Sequence, residues 1–99
     1  MENYDGYSAI NVKEAGVYEA PKTSSIQAFI DGHILSVVFL ENLGNVSIEL
    51  STQAGASVDA ACIHTPNGVN FYIPNTGSYV VTFTLENGDE YYGEFEVTD

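Results

Sequence analysis

The sequence predicts an all-β fold, a sandwich or a small barrel built from short antiparallel strands. Apolar residues alternate with polar residues at a period of two along most of the chain, and β-branched and aromatic side chains dominate these stretches. Turn-forming Gly, Pro, Asn and Asp residues separate the stretches at short intervals. With 99 residues, of which 44% are apolar and 16% charged, the composition is that of one globular domain.

Seven segments have the alternating pattern of strands. They are residues 25–30, 33–40, 45–51, 57–64, 69–73, 78–85 and 90–97. The first 24 residues are less regular, so the expected organisation is an N-terminal segment, 1–24, followed by a β-sandwich domain, 25–99. The N-terminal segment could add one more short strand that packs on the sandwich. The apolar residues that this added strand could supply are Ile10, Val12, Val17 and Tyr18.

The Asp31-Gly32 pair predicts a two-residue turn in the first hairpin, with Ile30 opposite His33. Side chains on a strand alternate between its two faces, so this hairpin has a core face and an outer face. The core face consists of Ile26, Ala28, Ile30, Leu35, Val37 and Phe39. The outer face carries Phe29, Ile34, Val38 and Leu40, which make it too apolar to be left in water.

A three-residue loop, Glu86-Asn87-Gly88, is predicted for the last hairpin, with Gly88 in the left-handed conformation. It places Phe83 opposite Tyr91 and Val81 opposite Gly93. A two-residue loop would shift the pairing by one position and bring glutamates onto the core face, so the burial pattern selects the longer loop. The predicted buried face is Tyr79, Val81, Phe83, Leu85, Tyr91, Phe95 and Val97, and Gly93 marks a gap or a bulge.

Acidic residues on the outer side of the last strand are typical of a sheet edge, where charge discourages pairing with other molecules. The chain has fourteen acids against two lysines, Lys13 and Lys22, and a net charge of -12. This charge repels phosphate backbones and anionic lipid headgroups, so nucleic-acid binding is not expected. The sequence also contains neither a transmembrane run nor the pattern of a signal peptide, and no direct insertion of this chain into a membrane is expected.

We find no catalytic, cofactor-binding or metal-binding signature. Cys62 stands in an alternating apolar row and is expected to be a small buried residue. His33 and His64 lack neighbours at metal-ligand spacing. The acids around Asn87-Gly88 supply too few oxygens for a dedicated calcium site.

The apolar outer face of the first hairpin is the most informative feature for function. Phe29, Ile34, Val38 and Leu40, with Tyr72 from the fifth segment, form a candidate interaction patch. One interpretation is a cover supplied by the N-terminal segment through Ile10, Val12, Val17 or Tyr18. The other is a homodimer or a protein partner that binds this sheet face.

Two stretches, GSYVVTFTLENGDEYYGEFEV and IDGHILSVVFLENLGNVSIELSTQAG, resemble a Bacteroidetes family of short secreted or lipid-anchored proteins whose function is unknown. The resemblance covers about residues 23 to 97. It implies an immunoglobulin-like antiparallel β-sandwich of about seven strands and a secreted, periplasmic or outer-surface location. In such folds a tyrosine at the position of Tyr79 forms a tyrosine corner, in which its hydroxyl bonds to upstream backbone.

These observations predict a non-catalytic, exported interaction or accessory module of a bacterial cell envelope. The alternative is a carbohydrate-binding module that uses exposed tyrosines, Tyr92 or Tyr72, because aromatic rings stack on the apolar faces of ligands. A sugar platform requires aromatic rings that share a face, and the sequence does not establish this for the two tyrosines.

Overall fold

Two antiparallel sheets pack face to face in a computed structural model that describes residues 7–10, 12–14 and 25–99. The nine strands of these residues are β1 (Tyr7–Ile10), β2 (Lys13–Glu14), β3 (Ile26–Asp31), β4 (Ile34–Phe39), β5 (Asn45–Thr52), β6 (Ser57–His64), β7 (Val69–Tyr72), β8 (Gly77–Leu85) and β9 (Glu90–Val97). The seven predicted strands are all present, and two short N-terminal strands are added to them. No helix in the described part of the chain is long and apolar enough to cross a membrane.

The N-terminal residues contribute to both sheets. The four-stranded sheet has the order β1-β3-β4-β7, and the five-stranded sheet has the order β2-β9-β8-β5-β6. Ile10 and Val12, at the crossing from one sheet to the other, are buried in the core. They therefore do not lie on the outer face of the first hairpin, as the covering interpretation required. The other two residues of that interpretation, Val17 and Tyr18, lie outside the described residues.

The prediction that the last strand is an edge is wrong for its first part. Lys13 and Glu14 of β2 pair with Tyr92 and Tyr91 of β9, so a short strand flanks β9 at this point. A two-residue strand is too short to show an alternating pattern, so the sequence does not predict this pairing.

The core lies between the sheets and consists mainly of alternate, inward-facing side chains of β3, β4, β5, β8 and β9. Its largest side chain with no exposed surface is Phe83, whose ring meets that of Phe39 edge to face, with 6.3 Å between the ring centres. The buried apolar residues are Ile10, Val12, Ile26, Ala28, Ile30, Leu35, Val37, Phe39, Val46, Ile48, Leu50, Phe71, Ile73, Tyr79, Val81, Phe83, Phe95 and Val97. Burial of such side chains contributes about 1.5–3 kcal/mol each, which makes this layer the main stabilising element.

The last hairpin has the predicted register. Phe83 pairs with Tyr91 and Val81 with Gly93, without a bulge between them. The three-residue loop is closed by the Leu85 N–H, which donates to the Asp89 carbonyl at 2.9 Å, and Gly88 has a φ of 94°. Only glycine adopts such a φ without a steric penalty, so Gly88 permits this loop. Leu85 and Tyr91, at the loop end of the inner face, are only partly buried.

The first hairpin has a different register from the prediction. Asp31 pairs with Ile34 and Ile30 with Leu35, so the turn residues are Gly32 and His33. Gly32 has a φ of 59°, which suits the first central position of a type II′ turn, whereas a turn at Asp31-Gly32 of type I′ would need positive φ at Asp31 as well. The shift is two residues, so the core face and the outer face keep the predicted side chains.

The tyrosine-corner contact predicted for Tyr79 is present. Its hydroxyl donates a hydrogen bond to the carbonyl of Asn75 at 2.7 Å, and its ring stacks on Phe95 with 5.8 Å between ring centres. The bond ties the loop between β7 and β8 to the start of β8. It satisfies the polar end of a side chain that is otherwise buried in the core.

We expect Tyr79→Phe to lower the free energy of unfolding by about 1 kcal/mol, because it removes this hydrogen bond and keeps the ring. Urea unfolding followed by circular dichroism measures the change. Tyr92→Phe is the matched control, since Tyr92 lies on an outer face. Equal losses in the two variants would contradict a structural role for the Tyr79 hydroxyl.

Candidate interaction surface

The outer face of the four-stranded sheet carries most of the exposed large apolar side chains of the described residues. Ile34 of β4 lies directly opposite Tyr72 of β7, and directly opposed residues share a face of the sheet. Val38 lies four positions from Ile34 on the same strand and therefore on the same face. The exposed fractions are 38% for Ile34, 40% for Val38, 56% for Leu40 and 64% for Tyr72.

Phe29 completes this group, although it is less exposed than the others. It pairs with Ser36 on the outer face, one row away from Ile34, and is half-buried. We call Phe29, Ile34, Val38, Leu40 and Tyr72 the apolar patch. Gln27, Asp31, Ser36 and Asn70 lie beside it on the same face. Thus the structure brings the five predicted residues to one face, with polar residues between and around them.

His33 stands at the turn end of the patch and is held by two short contacts. Its Nδ1 lies 2.6 Å from the carbonyl oxygen of Ile73, and its Nε2 lies 2.6 Å from Oδ1 of Asp99. Its ring is also 6.1 Å from that of Tyr72, centre to centre. Both partners are hydrogen-bond acceptors, so both ring nitrogens must donate, which is the state of the imidazolium.

The hydrogen bond to Asp99, followed by the bond to the Ile73 carbonyl, raises the pKa of His33 above its ordinary value of 6.5. This arrangement ties residue 99 to the β3–β4 turn and to the start of the loop after β7. The sequence indicated His33 only as a half-exposed residue beside a turn. Its partners are 40 and 66 positions away, so no local pattern could reveal them.

Because the pKa of His33 is raised on folding, its contribution to stability is complete below about pH 6.5 and is lost as the pH rises through the folded-state pKa. We expect the free energy of unfolding to fall as the pH rises above about 6.5, and Asp99→Asn to weaken this dependence. Urea unfolding at several pH values measures both. The test is the comparison of the two slopes, and identical slopes for the original chain and Asp99→Asn would contradict the role of the pair.

The two tyrosines of the carbohydrate alternative lie on different faces of the molecule. Tyr72 is on the outer face of the four-stranded sheet, whereas Tyr92 is on the outer face of the five-stranded sheet, opposite Thr82. Tyr91 points toward the core and packs against it. These two outward tyrosines therefore cannot stack together on one sugar ring.

Cys62 is exposed, contrary to the expectation that it is a small buried residue. It lies on the outer face of β6, opposite Ser47 of β5. The row that contains Cys62 points outward, whereas Ala61 and Ile63 of the other row pack against the core. His64, two positions on, hydrogen-bonds through Nδ1 to Oδ1 of Asn45 at 2.8 Å.

The acids near the last hairpin are used within the loops. A carboxylate oxygen of Glu86 accepts the N–H of Asn45 at 2.8 Å, and Asp89 accepts an amide N–H of Asn87 at 3.1 Å. Across residues 7–10, 12–14 and 25–99, no three His, Cys, Asp or Glu side chains are grouped so that they could hold a metal ion.

A solved structure with the same architecture is described as a DUF3244 family protein with an immunoglobulin-like β-sandwich fold from Bacteroides vulgatus ATCC 8482. The two chains superimpose with a TM-score of 0.77 over 93% of this chain and 99% of the other, at 16% sequence identity. The chain has an immunoglobulin-like β-sandwich fold. No protein-family model matches the sequence, and no curated protein matches it.

This likeness confirms the resemblance to a Bacteroidetes family of unknown function and confirms the predicted fold class. At 16% identity, it establishes the shared fold alone. The immunoglobulin-like fold supports many unrelated activities, so function has to be argued from surfaces of this chain.

Proposed function

We propose that this immunoglobulin-like domain is a non-catalytic interaction module of a bacterial cell envelope and that it binds a protein through the apolar patch. The supporting observation is the exposure of Ile34, Val38, Leu40 and Tyr72 on one outer sheet face. Exposed apolar groups of this kind are typical of interaction sites. The partner is another protein or a second copy of the chain.

The patch has the composition of a small interface. It places an aromatic and aliphatic centre beside polar residues such as Gln27, Ser36 and Asn70. Tyrosine is enriched among residues that dominate binding energy, and a polar surround that excludes water is typical of such sites. A stable complex buries about 800 Å² on each partner, so neighbouring residues of the sheet must join the contact.

A non-catalytic role is supported by the positions of the reactive side chains. His33 is bound between a backbone carbonyl and Asp99, and His64 is bound to Asn45. Cys62 is exposed on the outer face of β6, opposite Ser47. The described histidines thus have contacts that tie structure together.

The test of the patch is the solution mass of the full chain, with binding of a dye that reports exposed apolar surface. We expect either a dimer or a monomer that binds the dye, and Ile34→Gln combined with Tyr72→Ser should abolish either property. Val58→Gln is the control, because Val58 is 39% exposed but lies outside the patch. A full chain that is monomeric and silent to the dye would mean that the patch is covered, and the proposal would fail.

The proposed location is outside the cytoplasm: secreted, periplasmic or on the outer cell surface. Its support is the resemblance to secreted or lipid-anchored Bacteroidetes proteins and the likeness to a Bacteroides structure. Fractionation of the cells that make the protein, followed with an antibody against this chain, tests it. Detection in the cytosol alone would contradict export.

A further inference from the structure

A second surface, separate from the apolar patch, is the edge of the five-stranded sheet formed by β6. This strand is the last in its sheet, and within the described ranges it pairs with β5 alone. Six of its eight residues are exposed, and the other two, Ala61 and Ile63, are only partly buried against the core. At the other edge of the same sheet, β2 flanks β9.

The hydrogen-bond pattern shows which backbone groups of β6 point away from β5. The Thr65 N–H donates to the Gly44 carbonyl at 3.0 Å, so these two residues form a hydrogen-bonded pair. The next pair along the ladder, Asn45 and His64, is therefore one without mutual hydrogen bonds. Pairs alternate along an antiparallel ladder. The N–H and C=O groups of Ala60 and Cys62, and the N–H of His64, are therefore directed to the free edge.

This edge has little of the protection that natural sheets use. It contains no lysine and no proline, and its protection is limited to residues 57–59. There Val58 forms a bulge without a partner between Ser57 and Asp59, and Asp59 places a carboxylate at the edge. The carboxylate of Asp59 accepts the outward N–H of Ala60 at 2.8 Å. The outward N–H of Ala60 is therefore bound to an exposed side chain that an added strand could displace. The outward N–H groups of Cys62 and His64 remain available for pairing with such a strand.

The surroundings of the edge favour a basic occupant. A shallow depression of about 500 Å³ lies on the outer face beside β6, bordered by Ser47, Glu49, Ala60, Cys62, Thr84 and Glu90. Glu49 lies directly opposite Ala60 on the outer face. In this row, the methyl group of Ala60 is the only side chain between Glu49 and the free edge. Long cationic side chains on an added strand could reach across Ala60 to this carboxylate.

We propose that β6 accepts an extended basic segment of a partner protein as an additional strand of the five-stranded sheet. The backbone of the segment pairs with Cys62 and His64, and alternate Lys or Arg side chains lie over Ala60 toward Glu49. Backbone hydrogen bonds provide affinity in this mode of recognition, and the alternating side chains provide selection. A second copy fits less well, because each chain carries a net charge of -12 and like charges oppose association.

The probe for this proposal is the blocked peptide acetyl-Lys-Val-Lys-Thr-Lys-Val-Lys-amide, whose lysines share one face when it is extended. Amide hydrogen exchange of the full chain is followed by NMR under reducing conditions, with and without saturating peptide. We expect exchange at Cys62 and His64 to slow by about tenfold or more, because these amides become hydrogen-bonded. The same peptide N-methylated at every residue keeps the charge but has no backbone N–H to donate on either edge, and it should leave these rates unchanged.

Three variants separate strand pairing from general attraction between charges. Cys62→Pro removes an outward N–H without touching the bonds to β5, and it should abolish the protection of His64; if it fails to fold, the N-methylated peptide gives the same test. Glu49→Gln should weaken peptide binding by about threefold, whereas Glu94→Gln on the distant strand β9 should not.

The proposal is overturned if both peptides protect the edge equally or if neither does. It is also overturned if Glu49→Gln and Glu94→Gln weaken binding to the same extent, since only overall charge would then matter. A concentration-dependent dimer that protects Cys62 without peptide would assign the edge to a second copy instead.

Discussion

Replacing Phe83 with alanine is expected to lower the free energy of unfolding by about 3–5 kcal/mol, which is a large part of the stability of a domain of this size. Phe83 has no exposed surface and lies on β8, which is paired on both sides by β5 and β9. Its ring meets Phe39 of the opposite sheet. The substitution therefore opens a cavity where the two sheets meet and removes an aromatic contact between them.

Urea unfolding of the original chain and of Phe83→Ala measures this effect as a shift of the unfolding midpoint. The slope of the free energy of unfolding against urea concentration should stay unchanged if unfolding remains two-state. Tyr72→Ala is the matched control, because it also removes an aromatic ring but one that is 64% exposed. It should cost less than about 1 kcal/mol, as cross-strand surface pairs do. A cost for Phe83→Ala as small as that of the control would contradict the position of Phe83 at the centre of the core.

Replacing Val12 with aspartate should lower the free energy of unfolding by at least about 3 kcal/mol, since it removes buried apolar surface and places a carboxylate in an apolar site. Val12 is 1% exposed and belongs to the same cluster as Ile10 and Val97. If the N-terminal residues merely lay on the outer face of the first hairpin, the change would cost little stability and would instead increase dye binding. The two arrangements thus predict different results.

Val58→Asp is the control for this experiment, because Val58 is a valine on the free edge with 39% of its surface exposed. Its cost should stay within about 0.5 kcal/mol. The comparison uses thermal and urea unfolding of full-length chains. Equal behaviour of the two aspartate variants would show that the N-terminal strands do not contribute to the core.

The last hairpin illustrates what a sequence can specify. Its register followed from one requirement, that Phe83 and Phe95 be buried while the glutamates of β9 face water, and Gly88 supplied the conformation that the loop needs. A shift by one residue would exchange the faces, so burial separates the two registers sharply. For the same reason Phe29, Ile34, Val38 and Leu40 could be assigned to one outer face before the pairing was known, whereas the place of Tyr72 beside Ile34 follows from the pairing of β4 with β7.

The first hairpin and the N-terminal strands were not determined in this way. A shift by two residues leaves every side chain on the same face, so hydrophobic alternation cannot distinguish the predicted register from the observed pairing of Asp31 with Ile34. The strands β1 and β2 have four and two residues, too few to establish a period. Their pairing with β3 and β9 depends on strands that are distant in the sequence.

The all-β class, the seven long strands and the two faces of each hairpin could be predicted from the sequence, because alternation and turn chemistry are local properties. The packing of the two sheets established which strands end a sheet, which row of β6 carries Cys62 to the outer face, and which amides of β6 point outward. It also decided that Ile10 and Val12 enter the core and that His33 meets Asp99. These features depend on how far one sheet extends over the other and on contacts between remote residues, which no local pattern encodes.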